Sequence, residues 1–154
     1  GRPGEDGTLQ KDLAQYGLYH NGSLSHSAEI TINKFETNRI LREKGFLVAN
    51  HQLIQKTQWQ TGGLDFCSSI CEEFGLPLIA KPADDGCSAA VRKIKSAIEL
   101  DRFMAAIFRD EEAVAADLCT QLGIRQSDEM PRKTELLIEQ FIEMGDAVVA
   151  ALSK

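Results

Sequence analysis

The chain has 154 residues, of which 43% are hydrophobic and 26% charged, a length and composition typical of a globular protein with one sizeable core. The formal net charge of −6 and the isoelectric point near 5.1 argue against nucleic acid or an anionic membrane as a partner. No apolar run approaches the roughly 20 residues that span a bilayer, and the polar, turn-rich amino terminus is not what a signal peptide would show.

The predicted helices and strands alternate along the chain, which indicates a mixed α/β fold. Acidic residues stand at the start of a first helix that is expected to end at Gly17. Ser25 or Ser27 is expected to cap a short second helix. Asn33 begins a strongly amphipathic helix that is predicted to end at Gly45. The run FLVANHQLI then predicts the first strand.

The second half of the chain is predicted to continue this alternation. The elements follow in this order: a helix over 64–74 that ends at Gly75, two strands around a turn within 76–94, a helix over 96–109, a helix over 111–122, an exposed loop over 123–133 and a strand at TELLIEQFI. Ser96, with Glu99 three residues later, has the spacing of a capping box. The apolar run in TELLIEQFI is nearly continuous, which predicts a strand buried on both faces.

The four cysteines indicate reduced, packed thiols rather than a metal site. Cys67 and Cys71 are four residues apart on a predicted helix, but no second pair stands at zinc-ligand spacing. With Cys87 and Cys119 they form a sparse set, as expected in a cytoplasmic protein. The three histidines match no metal-binding motif. No metal ligand is therefore predicted within the chain.

The stretch LPLIAKPADDGCSAAVRKI, residues 76–94, predicts a phosphate-binding turn between two strands. Lys81 ends an apolar strand, so a cation would stand at the edge of the turn. Gly86 allows close approach of the backbone, and the small residues after it leave N–H groups free to face an anion. Lys34, at the start of a helix, could reach the same phosphates from a second direction. The alternatives are an ordinary hairpin for the turn and a solvated surface lysine for Lys34.

Four segments, in this order, are similar to those of the D-alanine–D-alanine ligase family. They are the opening GRPGEDGTLQ, the helix and strand of NKFETNRILREKGFLVA, the turn of LPLIAKPADDGCSAAV, and TELLIEQFIEMGDAVVA. The ordered set is typical of the ATP-grasp superfamily, and the opening decapeptide is typical of its ligase branch. The resemblance implies an α+β (mixed α/β) ATP-grasp fold. It also implies an ATP-dependent enzyme that phosphorylates a carboxylate and joins the acyl phosphate to an amine, with D-alanine as the expected amino acid.

The resemblance also implies which residues bind ATP. Lys34 and Lys81 would contact the phosphates, and the turn that contains Gly86 and Ser88 would lie over the triphosphate. Asp146 would accept hydrogen bonds from the ribose hydroxyls. Adenine would be held by a hinge, chiefly through its backbone, made of Glu139, Gln140, Phe141 and Ile142.

Several positions depart from the family pattern and leave a second interpretation open. Cys87 and Ser88 stand where the family has two serines, the first of which helps to orient substrate, so these are the implied catalytic positions. A thiol is a weaker hydrogen-bonding group than a hydroxyl. Ala89 and Ala90 stand where a glycine is usual, and Asp146 stands where glutamate is usual. The alternative is a non-catalytic or repurposed ATP-grasp domain that binds nucleotide or a partner.

The resemblance divides the chain into three parts. These are the end of an amino-terminal domain (1–30), the central ATP-grasp subdomain (31–142) and the start of a carboxy-terminal subdomain (143–154). Residues 111–133 match nothing in the family and are expected to be an insertion, a mobile excursion on the surface. A first residue other than Met and the incipient strand AVVAALSK indicate a piece of a longer protein.

The rest of such a protein is implied to complete the site. The family takes its Mg²⁺ ligands, and the arginine that stabilises the acyl phosphate, from the carboxy-terminal half, so this chain alone is expected to be inactive. The family further implies peptidoglycan precursor synthesis in a bacterial cytoplasm, a homodimer, and no membrane or nucleic-acid partner.

Overall fold

The computed structural model describes residues 3–86 and 90–143. Within these residues the elements follow in the order α1 (Thr8–Gln15), α2 (Ser25–Ile32), α3 (Lys34–Glu43), β1 (His51–Gln55), α4 (Lys56–Phe74), β2 (Leu78–Lys81), β3 (Arg92–Ile94), α5 (Ala97–Ile107), α6 (Ala116–Leu122) and β4 (Glu135–Gln140). The predicted mixed α/β class is confirmed. No helix in the described ranges is both long enough and apolar enough to cross a membrane.

The four strands form one antiparallel sheet in the order β1-β4-β2-β3. β2 and β3 are the two strands predicted on either side of the turn, and Leu78 lies opposite Ile94 in their register. β4 comes last in the sequence but lies in the middle of the sheet, with Ala80 of β2 opposite its Ile138. This central place explains why the three consecutive residues Leu136, Leu137 and Ile138 are fully buried, as the sequence predicted for a strand buried on both faces.

Strand alternation gives the sheet two different faces. Successive side chains of a strand point to opposite sides. Leu78, Ala80 and Ile138 are therefore on one face, where they are fully buried. Lys81 and Glu139 lie on the opposite face, one residue further along their strands. The same alternation that builds the core thus turns a lysine and a glutamate away from it.

Helices α4 and α5 cover the buried face of the sheet. The core they form with it includes Cys67, Ile70, Phe74, Leu100, Phe103, Met104 and Ile107. The two helices are also joined by a hydrogen bond that the Trp59 indole N–H donates to Asp101 Oδ1 over 2.8 Å. Burial of this many aliphatic and aromatic side chains is the dominant favourable term in the stability of the fold.

The helix starts show which capping signals were informative. Asn33 and Ser96 cap α3 and α5 as predicted, because their side chains accept hydrogen bonds from the N–H groups of Glu36 and Glu99. The prediction of a serine cap for α2 is wrong. Its N-cap position is occupied by Leu24, which makes no capping hydrogen bond.

The first strand and the helix after it differ from their predicted bounds. β1 begins at His51, whereas the prediction began at Phe46; the side chains of Phe46 and Leu47 are exposed and pair with no strand. α4 begins at Lys56 and extends well before the predicted helix. Gly63 (φ +52°) interrupts it with a kink. The part of α4 that follows Gly63 corresponds to the helix predicted over 64–74.

The segment 111–133 is not a simple surface excursion. Its helix α6 begins later than predicted, and Val114, Cys119 and Leu122 are buried in the same core as the sheet. These side chains pack beside α5, so the expectation of a segment outside the core is wrong for the first half of this region. The second half is more exposed, as predicted.

Arg109 holds the two ends of this segment together. Its guanidinium donates hydrogen bonds to the carbonyl oxygens of Ala106, Glu112 and Met130 at 2.6, 2.9 and 2.8 Å. One planar group with several donors can satisfy three carbonyls at once. The segment therefore closes on itself at the carboxyl end of α5.

Three of the four cysteines are free, buried thiols, as predicted. Burial raises the pKa of the Cys67 thiol to about 12, and burial also raises the pKa of Cys71. A thiol of this kind is scarcely ionised at neutral pH and behaves as a small apolar side chain. Cys87 lies outside the described residues.

Candidate functional site

A cavity of about 640 Å³ opens beside the end of β2. Its wall is formed by the amino-terminal segment, by α2, by the start of α3 and by the loop that follows β2. Lys34, Lys81 and Gly86, which are far apart in the sequence, all line it. The structure therefore brings three of the predicted site residues to one place.

Lys81 reaches the cavity because it is the last residue of β2 and points away from the core. Its ammonium group forms an ion pair with Glu139 Oε2 at 2.5 Å, and only 19% of the side chain is exposed. The other carboxylate oxygen of Glu139 accepts a hydrogen bond from Asn38 Nδ2 at 3.0 Å. The cation is thus held in place by a carboxylate that is itself oriented from α3.

Lys34 approaches the same cavity from the first position of α3. Its backbone N–H donates to the carbonyl of Ala83 over 2.8 Å, and its ammonium group donates to the carbonyl of Asp85. Both contacts join the start of α3 to the loop after β2. Burial, followed by the positive charge of Lys81, lowers the pKa of Lys34. The two ammonium groups are therefore close enough to affect each other, and both residues line the same cavity.

The loop after β2 passes close to the amino-terminal segment at Gly86. A Cβ atom added there would lie 2.8 Å from Glu5 Oε2, so a larger residue would displace that side chain. At the far end of the loop, Ala90 has φ +51°, in the left-handed region that favours glycine. This backbone conformation gives a physical reason for the glycine that the family pattern led us to expect in this part of the loop.

The predicted hinge residues lie at the end of β4. Glu139 uses its side chain, as described, and the Gln140 N–H donates to the carbonyl of Asn50 over 2.8 Å. The ring of Phe141 lies 3.6 Å below the ammonium group of Lys93, and Ile142 is 62% exposed. The other predicted site residues, Cys87, Ser88 and Asp146, lie outside the described residues.

Sequence reasoning missed two polar residues of this site. Asn38 lies one helical turn after Lys34, so it is on the same side of α3, and this i, i+4 spacing was a usable signal. Lys133 contacts the loop after β2 through the carboxylates of Asp84 and Asp85. No local sequence pattern could predict this contact, because Lys133 and Asp84 are 49 residues apart in the sequence.

Comparison with solved structures identifies the class of fold. The fold is of the ATP-grasp class, as similarity to two solved ligases shows. The D-alanine–D-alanine ligase of Helicobacter pylori matches with a TM-score of 0.63 and 24% identity, over 91% of this chain and 34% of that one. The VanG D-Ala:D-Ser ligase of Enterococcus faecalis matches with a TM-score of 0.66 and 21% identity, over 93% of this chain and 34% of that one.

The chain belongs to the D-alanine–D-alanine ligase family. The family model described as the D-ala D-ala ligase C-terminus matches residues 40–122, more than half of the chain. The curated D-alanine–D-alanine ligase of Natranaerobius thermophilus is 32% identical over 97 residues, which are 63% of this chain and 27% of that protein. The chain therefore spans about a quarter of the length of this relative and about a third of the solved structures.

Proposed function

We propose that this chain supplies the phosphate-binding part of the ATP site of an ATP-dependent carboxylate–amine ligase of the D-alanine–D-alanine type. The observation that carries the proposal is the convergence of Lys34 and Lys81 on one cavity beside the loop after β2. Lys34 is the first residue of α3 and Lys81 is the last residue of β2, so two separate elements position the two side chains independently. A polyphosphate is the kind of anion that two such cations, approaching from different directions, can bind.

The surroundings of Lys34 and Lys81 support the binding of an anion by the two ammonium groups, rather than their being two solvated surface cations. Lys34 loses hydration on burial and faces the charge of Lys81, and both effects favour its neutral form. A phosphate oxygen between the two ammonium groups would reverse that tendency. Lys81 now pairs with Glu139, and this partner would hold the cation ready for a phosphate. The residues present therefore fit the triphosphate of ATP.

Each residue would then have a defined task. Lys34 and Lys81 would neutralise charge on the phosphates, and the loop that contains Gly86 would offer backbone N–H groups. The hinge, Glu139 to Ile142, would hold adenine, with Asp146 at the ribose, while Cys87 and Ser88 would orient the substrate. ATP supplies the phosphoryl group that activates a carboxylate as an acyl phosphate.

Mg²⁺ would be held elsewhere in the complete site. Within residues 3–86 and 90–143, no three side chains of His, Cys, Asp or Glu are grouped as a metal site. The metal ligands and the remaining cationic group would come from another part of the protein, and this chain would provide the lysine and loop portion of the phosphate clamp.

The names of the relatives support a proposal for the substrates. One relative is a D-alanine–D-alanine ligase and another is a D-Ala:D-Ser ligase, so D-alanine is the amino acid common to both. We propose D-alanine as the substrate, a cytoplasmic location and a homodimer, in the synthesis of peptidoglycan precursors.

Phosphate release in the presence of amino acid tests this function. The protein that carries this chain is expected to release phosphate from Mg-ATP only when D-alanine is added, with one dipeptide formed for each phosphate. Release of phosphate and product would be followed together. Binding of Mg-ATP with no release on addition of D-alanine would reject the ligase for this substrate and favour a repurposed nucleotide-binding domain.

A further inference from the structure

We propose that Lys133 is a positioning residue for the loop after β2, and that it offsets the negative charge of Asp84 and Asp85 beside the phosphate site. This inference rests on the proposed function. Lys133 Nζ lies 2.8 Å from Asp84 Oδ1 and 2.9 Å from Asp85 Oδ2. One ammonium group thus contacts two consecutive carboxylates, and its side chain is only 19% exposed.

The backbone of Lys133 is fixed by the core. Its N–H donates to the carbonyl of Ile107, at the end of α5, over 2.9 Å. The next residue, Thr134, accepts a hydrogen bond from the Lys56 N–H over 2.8 Å, at the start of α4. Lys133 therefore extends from a rigid junction between two core helices and β4, and can fix the position of whatever its side chain contacts.

One of the two contacted residues, Asp85, belongs to the wall of the cavity. Asp85 and Gly86 line it, and the carbonyl of Asp85 accepts the hydrogen bond from the ammonium group of Lys34. Lys133 therefore contacts the side chain of Asp85, and the backbone carbonyl of Asp85 binds the ammonium group of Lys34. Without Lys133, repulsion between the carboxylates of Asp84 and Asp85 would shift Asp85, and with it the loop and one of the two phosphate-binding cations.

The charge balance gives Lys133 a second effect. Two carboxylates next to a site for a polyphosphate repel the ligand, and the repulsion is considerable where water is partly excluded. Lys133 supplies the compensating charge. Burial on its own would lower the pKa of Lys133, but the contacts with Asp84 and Asp85 outweigh it and raise the pKa above its ordinary value. The ammonium group is therefore charged throughout the neutral range.

Lys56 provides a matched control on the same side of the molecule. It lines a second cavity together with Lys133, and its side chain is 18% exposed. It pairs with Asp110 at 2.5 Å and not with the loop. Removal of Lys56 therefore removes an equally buried, paired ammonium group without touching Asp84 or Asp85.

The test is calorimetric titration of Mg-ATP and of adenosine into variants of the protein that carries this chain. Lys133→Met is expected to weaken Mg-ATP binding roughly tenfold, as the loss of one unit of nearby charge would. Lys56→Met, and Lys133→Arg, which keeps the charge, are expected to bind within about threefold of the unsubstituted protein. Adenosine, which carries no phosphate, is expected to bind all variants alike.

A charge rescue separates this role from simple stabilisation of the fold. When Asp84→Asn and Asp85→Asn are added to Lys133→Met, Mg-ATP affinity is expected to return to within about threefold. An Mg-ATP affinity of the triple variant that stays below that of the unsubstituted protein by more than about threefold overturns the inference. If Lys133→Met alone does not fold, this comparison between the triple variant and the unsubstituted protein is the test. Unchanged affinity in Lys133→Met also overturns it, while leaving the proposed function intact. Absence of Mg-ATP binding by the unsubstituted protein overturns both.

Discussion

Lys81→Met is expected to weaken the binding of Mg-ATP by roughly 10- to 100-fold, the effect of losing one charge-assisted contact with a phosphate. Strand alternation turns this side chain away from the core, and the cavity beside β2 receives it. Methionine keeps most of the aliphatic stem and removes only the charge. The substitution leaves Glu139 without its ion pair, and that added negative charge near the site increases the loss of affinity.

Lys56→Met is also the matched control for Lys81→Met. Lys56 and Lys81 are 18% and 19% exposed, and each forms an ion pair at 2.5 Å with a carboxylate. They line different cavities. Titration calorimetry of both variants should therefore show a loss for Lys81→Met alone. Equal affinities of the two variants would mean that Lys81 does not contact the phosphates.

Gly7→Ala is expected to lower the free energy of unfolding by at least about 2 kcal/mol. Gly7 is the N-cap residue of α1 and has φ +86°, a conformation that an L-residue rarely adopts. A Cβ atom would also overlap the carbonyl oxygen of Ser25, at the start of α2. Because that obstacle is backbone, the two helices would have to separate to accept it. Gly4 and Glu5, which precede Gly7, line the cavity, so nucleotide affinity should fall as well.

Gly17→Ala separates the two causes of this loss. Gly17 has φ +65°, and a Cβ atom there would meet nothing within 4 Å. Its substitution is expected to cost only the conformational penalty, about 1 kcal/mol. Denaturant unfolding of both variants measures the difference. A cost for Gly7→Ala no greater than that for Gly17→Ala would show that the contact with Ser25 is not close.

The parts of the fold that depend on local chemistry could be predicted from the sequence. Asn33 and Ser96 cap their helices because a short polar side chain before an apolar period satisfies free N–H groups. The strand pair around the turn followed from an apolar run with a glycine-containing break. Lys81 could be singled out as a candidate because a lysine that ends such a run has few structural reasons to be there, and the structure places it in the wall of the cavity.

Other parts depend on contacts between distant residues, which no local pattern records. β1 is short because its register with β4 begins at His51, opposite Glu139, although FLVA before it is more apolar than β1 itself. The region 111–133 was expected to be an excursion on the surface, yet Cys119 and Leu122 belong to the core and pack beside α5. The role of Lys133 is equally hidden, since Asp84 lies 49 residues before it.

The central claim is that Lys34 and Lys81 bind the phosphates of one nucleotide, and a crystal structure with Mg²⁺ and a non-hydrolysable ATP analogue tests it most directly. We expect the ammonium nitrogens of both lysines within about 3 Å of phosphate oxygens, beside the loop that contains Gly86. A nucleotide bound with its phosphates away from this cavity, or touching neither ammonium group, would contradict the account.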